Sequence, residues 1–95
     1  FLKMVFAADA DSFRVVKIMP VGNFPRKLAF NRRDGLLLVA NYSGGSVDMI
    51  DVREWKRLKK TRVGKLVRSV SVDEESGRNF AVTACGVYEL FDPRK

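Results

Sequence analysis

Apolar and polar residues alternate along this chain in short runs, separated by clusters rich in glycine and aspartate. Period-two patterning of that kind specifies half-buried β-strands. Residues 26–30 (R-K-L-A-F) predict a short alternating strand, followed by the turn N-R-R-D-G, in which Asp34-Gly35 supplies the positive φ. Residues 36–41 (L-L-L-V-A-N) are almost wholly apolar, as in a strand buried on both faces. After a turn at 42–45, residues 46–51 alternate, with Val47 and Met49 on one face and Asp48 and Ile50 on the other. Residues 52–54 connect to a last strand over 55–62. The pattern then recurs: a strand at 68–72, the turn D-E-E-S-G, a strand at 79–83, a turn around Cys85 and Gly86, and a strand at 87–91. Two further strands are predicted at 3–7 and 13–19. A helical period of 3.6 is nowhere sustained, so the expected fold class is all-β.

The recurrence is a true internal repeat. V-G-N-F-P-R-K-L-A-F-N-R-R-D-G starts at Val21, and V-G-K-L-V-R-S-V-S-V-D-E-E-S-G starts at Val63, an offset of 42 residues. Val21 falls on Val63, Gly22 on Gly64, Arg26 on Arg68 and Gly35 on Gly77. Leu28 and Val70, Phe30 and Val72, and Leu38 and Phe80 keep apolar character. One deleted residue after Ala84 then aligns Gly45 with Gly86, Asp51 with Asp92 and Arg53 with Arg94. A period near this length, built from strands, matches the four-stranded antiparallel blade of a β-propeller. The expected organisation is the last two strands of a preceding blade in 1–20, one complete blade in 21–62, and the first three strands of the next in 63–95. Propellers need about four to eight blades. The expectation is therefore a piece of a longer chain, with several copies completing each other's blades as the alternative.

These residues resemble the YVTN-type bacterial and archaeal β-propeller repeat. Val21-Gly22, Pro25, Asp34-Gly35, L-L-V-A-N and V-D-M-I-D stand in its conserved-looking places. The second copy departs from the pattern: Val67 replaces the proline, Ser76 the aspartate, and T-A-C-G the N-Y-S-G-G turn. The stretch A-N-Y-S-G-G-S-V is also similar to lactonase-type seven-bladed propellers, but no histidine or acidic constellation accompanies it, so no activity is carried over. The resemblance implies a periplasmic or extracellular setting.

Composition narrows the chemistry. A hydrophobic fraction of 46% allows a packed core, and the longest apolar runs, at 4–8 and 36–40, are far too short to span a bilayer. No signal peptide is expected in the N-terminal stretch. The chain has no histidine, which removes the commonest general base and metal ligand. Its one cysteine, Cys85, cannot form an internal disulfide and is expected to be a small space-filler. No catalytic residue, cofactor or metal is expected. The turn clusters Asp9 and Asp11, and Asp73, Glu74 and Glu75, lack the spacing of a calcium loop. Asp51 and Asp92 are expected to accept hydrogen bonds from backbone amides of the following turn.

The net charge of +7 points to anionic partners, or to edge strands guarded by cations. Arg26 and Arg68 share one position, at the start of the innermost strand, where a ring of arginines would hold a carboxylate or phosphate. The run Lys56, Arg57, Lys59, Lys60 and Arg62 occupies the outermost strand. Edge protection is its simpler reading, and a stripe for an anionic polymer the alternative. Phe24 and Tyr42 are expected on loops at one rim, as partner contacts. Trp55 is expected to pack on the outer strand. The functional expectation is a non-catalytic propeller segment acting as a protein-binding scaffold, its partner being the remaining blades, other copies or a separate protein. The alternatives are part of a larger propeller enzyme with its catalytic residues elsewhere, and a basic surface for an anionic polymer.

Overall fold

The computed structural model describes residues 4–8 and 15–20 as backbone, and residues 25–64 and 66–95 with their side chains. Two strands, β1 (Met4–Ala8) and β2 (Val15–Pro20), form an antiparallel pair. Four more, β3 (Pro25–Asn31), β4 (Leu36–Asn41), β5 (Ser46–Asp51) and β6 (Lys56–Arg62), form a sheet in simple meander order. Three follow in the same order: β7 (Ser69–Asp73), β8 (Arg78–Thr83) and β9 (Gly86–Leu90). Among the described residues there is no helix. The chain is all-β, as expected, and each observed strand starts and ends within two residues of its predicted limits.

The two larger sheets pack face to face. Directly opposed residues in an antiparallel ladder share a face, so Leu36, Leu38, Ala40, Val47 and Met49 form one surface of the first sheet. That surface meets Val67, Val70, Ala81 and Leu90 of the second, and all nine are buried. On the opposite surface, Val39 and Ile50 are buried with Leu37 and Trp55 against them. Trp55, expected to pack on the outer strand, instead lies in the turn before β6 and packs against Val39 and Ile50 of the two middle strands. The split of β5 follows the predicted alternation, and β4 has buried residues on both faces.

The hairpin between β8 and β9 corrects the repeat alignment. The β4–β5 turn has the four residues 42–45, and the β8–β9 turn only the two residues 84–85. Leu37 pairs with Ile50 in the first sheet, and its counterpart Asn79 pairs with Leu90 in the second. Leu90 therefore takes the place of Ile50, two deletions having occurred instead of one. The physical reason is parity: removing one residue from a hairpin would turn every β9 side chain to the other face, whereas removing two keeps Leu90 in the core. Phe91 is then an extra residue, 73% exposed, between the strand end and Asp92.

The two Asp-Gly and Ser-Gly turns need their glycines. Gly35 has φ +64° and Gly77 φ +75°, left-handed values that side chains with a Cβ rarely adopt. A Cβ on Gly77 would also lie 3.0 Å from Cδ of Arg33, which reaches over from the first sheet.

Candidate functional site

The meander places strand ends at two rims. Turns 32–35, 52–55 and 74–77 and the segment after β9 lie at one, called here the lower rim. Turn 42–45, linker 63–68 and turn 84–85 lie at the other, the upper rim, where β3, β5, β7 and β9 begin.

The lower rim is a clasp between the sheets. The fully buried Asn31 donates from Nδ2 to Asn79 Oδ1 (2.8 Å), to the Gly77 carbonyl (3.0 Å) and to Asp34 Oδ2 (3.2 Å). Its Oδ1 accepts from the Asp34 amide at 3.1 Å. Arg33 donates to the Glu75 carbonyl. Arg94 grips its own Asp92 through Nε and NH2, then crosses to Asp51 Oδ2 (3.1 Å) and the Asp34 carbonyl (2.9 Å). Lys95 Nζ meets Asp34 Oδ1 at 2.8 Å. As expected, Asp51 and Asp92 also accept from turn amides, those of Arg53, Glu54 and Arg94.

These contacts shift the carboxyl groups. Asp51 is held below its usual range chiefly by the Glu54 amide, with Arg53 and Arg94 adding to it. Asp92 is lowered chiefly by the Arg94 guanidinium, which is itself raised. Glu89 is lowered by Arg78, its bidentate partner at 2.9 and 2.6 Å. A carboxyl with a lowered folded-state pKa stabilises the fold above its unfolded value, and the contribution fades as pH falls through the folded value. The urea midpoint should therefore stay nearly level from about pH 8 to about pH 5 and drop below about pH 4. Arg94→Ala should lower the neutral-pH midpoint and flatten that acid limb. An acid limb of unchanged steepness in Arg94→Ala would refute the assignment.

A second polar network is buried in the first sheet. Asn41 Nδ2 donates to Asp48 Oδ2 (2.9 Å) and Ser46 Oγ (3.2 Å), and Arg57 Nε lies 3.4 Å from Asp48 Oδ1. Asp48 has no exposed surface, so a paired cation is what keeps its charge tolerable. Of the basic run, Arg57 is thus engaged with the sheet. By register Arg57, Lys60 and Arg62 share the face of Asp48, while Lys56 and Lys59 lie on the other. All five are exposed on an edge strand of the sheet, but they form two half-stripes instead of one.

The upper rim is open. Ser43, Gly44, Gly45, Arg62, Gly64 and Leu66 line a groove there. Arg62 NH1 donates to the Gly44 carbonyl at 3.4 Å, and the Val63 amide to that of Gly45 at 3.0 Å. Arg26 sits at a bulge, where the ladder steps from Pro25 to Lys27, and its guanidinium stacks 4.9 Å from the Tyr42 ring centre. Pro25 has no N–H for the ladder, which is where a bulge costs least. Arg68 is exposed ahead of β7, its amide bonded to the Val82 carbonyl at 2.7 Å. The structure thus places Arg26, Tyr42, Arg62 and Arg68 at one rim; Phe24 lies outside the described residues. Cys85 is exposed in its two-residue turn and fills no space, because the shortened hairpin leaves no interior there.

Leu66 was not singled out by the sequence. It has φ +56° and is 37% exposed, between Gly64 and the fully buried Val67. A left-handed leucine is a strained, uncommon conformation. No residue pattern signals it, because it follows from how the linker must turn to bury Val67.

Comparison with known proteins defines the class. No protein-family model and no curated protein matches the chain. Among solved structures it is similar to Kuenenia stuttgartiensis hydrazine synthase, with a TM-score of 0.86 at 19% identity over 97% of this chain. It is also similar to Saccharomyces cerevisiae Sqt1, with a TM-score of 0.81 at 14% identity over 99% of this chain. Both are β-propeller proteins, and the likeness shows the fold: these sheets are propeller blades. The chain spans 27% of the length of each matched chain. Among the described residues no helix is long and apolar enough to cross a membrane.

Proposed function

We propose that this chain is a segment of a YVTN-type propeller, a non-catalytic scaffold that binds a protein partner at its upper rim. In this reading 1–20 belong to a preceding blade, 21–62 form one blade and 63–95 begin the next. The remaining blades, from the parent chain or from other copies, complete the ring. The carrying observation is the groove of Ser43, Gly44, Gly45, Arg62, Gly64 and Leu66 beside the Arg26–Tyr42 stack. It offers backbone carbonyls, one apolar side chain and guanidinium donors on a rigid two-sheet base, the combination that peptide recognition uses. Tyr42 and Arg26 are the contacts expected to anchor the partner, and Phe24 is proposed as a third.

Selection from a random displayed-peptide library against the intact chain tests this. Enriched peptides should share a consensus and lose about tenfold in affinity to Tyr42→Ser and to Leu66→Ser, the scale of losing one well-packed contact. Arg32→Ser, at the lower rim, should bind as the parent does. Failure to enrich a consensus, or equal binding to all three variants, would refute the reading.

A further inference from the structure

The charge on this molecule is sorted by rim. The lower rim carries Asp34, Asp51, Glu54, Asp73, Glu74, Glu75 and Asp92, interleaved with arginines and lysines that pair with several of them. The upper rim carries Arg26, Lys27, Arg62 and Arg68, all exposed. Among the described residues no Asp or Glu stands at that rim; the nearest carboxylate, Asp48, is buried in mid-strand and has Arg57. Arg26 is stacked on an aromatic ring and Arg62 touches a carbonyl, and among the described residues no carboxylate pairs with either. The upper rim is thereby positive, as is the outer strand β6 that leads to it, while the lower rim mixes both signs.

Resting on the scaffold reading, we infer that the upper rim takes an acidic peptide segment. Its carboxylates would lie on Arg26, Arg62 and Arg68, and an apolar side chain of the same peptide on Leu66. Three observations favour a peptide over a nucleic acid. The Tyr42 ring already has a guanidinium on one face, which removes that face as a base-stacking platform. Half of the groove lining is glycine, whose missing side chains leave room for a peptide backbone. Leu66, held exposed at a strained φ, is an apolar contact that a phosphate backbone has no use for. Guanidinium forks match carboxylates in bidentate geometry, and like charges around a concave site reinforce one another's field.

The probe is a fluorescein-labelled peptide of alternating glutamate and leucine, titrated against the intact chain by anisotropy. Its glutamine counterpart should bind at least about tenfold more weakly, and raising salt from about 50 to about 500 mM should weaken the glutamate peptide by a similar factor. Arg26→Glu and Arg62→Glu should each cost about tenfold, and Arg32→Glu at the lower rim less than about twofold. Melting curves confirm that each variant folds. No binding of the glutamate peptide, or equal affinity for the glutamine peptide, overturns the inference. So does an equal loss in Arg32→Glu, which would mean unspecific attraction. Tighter, rim-dependent binding of an oligothymidylate would overturn it in favour of nucleic acid. A neutral consensus from the library, lost with Leu66→Ser, would overturn only the acidic specificity and leave the scaffold reading standing.

Discussion

Leu38→Ala is expected to lower the unfolding free energy by about 2–5 kcal/mol. Leu38 lies in the middle of β4, has no exposed surface, and faces Val67, Val70, Ala81 and Leu90 across the contact between the sheets. Its neighbours Ala29 and Met49 are fixed by ladder hydrogen bonds on both sides, so the backbone cannot close the void. The loss is therefore the transfer term and the cavity term together. Against a total stability of about 5–15 kcal/mol for a typical domain, this is a large share. The urea midpoint should fall while the slope is unchanged. Leu28→Ala is the control: Leu28 is 57% exposed, and its loss should cost within about 0.5 kcal/mol. Equal shifts in the two variants would mean that the sheets do not pack in solution as described.

The second large effect concerns Asn31. By position in the repeat Asn31 corresponds to Asp73, and both side chains accept turn amides, Asn31 from Asp34 and Asp73 from Glu75. An exchange of Asn31 for Asp would be nearly neutral if the turn were its whole role. The structure gives the Nδ2 donor three acceptors instead, two of them on the second sheet. Asn31→Asp removes that donor and buries a carboxylate against Asn79 Oδ1, the Gly77 carbonyl and the Asp34 carboxylate. Breaking such a network should cost about 3 kcal/mol or more. Asn31→Ala removes the donor without adding charge and should cost about 1–3 kcal/mol. The order of the two midpoints, with Asn31→Asp lower at neutral pH and recovering in mild acid, identifies the clasp. The reverse order would leave Asn31 as a turn residue only.

Much of the architecture is legible in the residue pattern for a simple reason. Strand faces repeat every two residues, so V-D-M-I-D announces that Val47 and Met49 face one way and Ile50 the other. Asp34-Gly35 and Ser76-Gly77 announce turns because only glycine accepts their φ cheaply. The Asp51 and Asp92 turn contacts are local and were readable for the same reason. The site was less legible. Tyr42, Arg26 and Arg62 could be named as candidates, yet no spacing in the chain says that the Tyr42 ring is capped by Arg26 or that Arg62 borders a glycine groove.

What the sequence by itself determined is local and periodic: all-β strands, their turns, a repeat of one blade, and the absence of any histidine chemistry. What only the tertiary structure decided depends on which strand ends come together. Hairpin parity required two deletions before β9, and sheet docking put Arg94 of one blade on Asp51 of the other. The linker's need to bury Val67 turned Leu66 outward. The sorting of charge belongs here too, since in sequence the acidic and basic residues are interspersed. They separate because a meander sends alternate turns to opposite rims, and among the described residues every carboxylate in a turn or at a strand end lies at the lower rim, Asp48 and Glu89 being within strands.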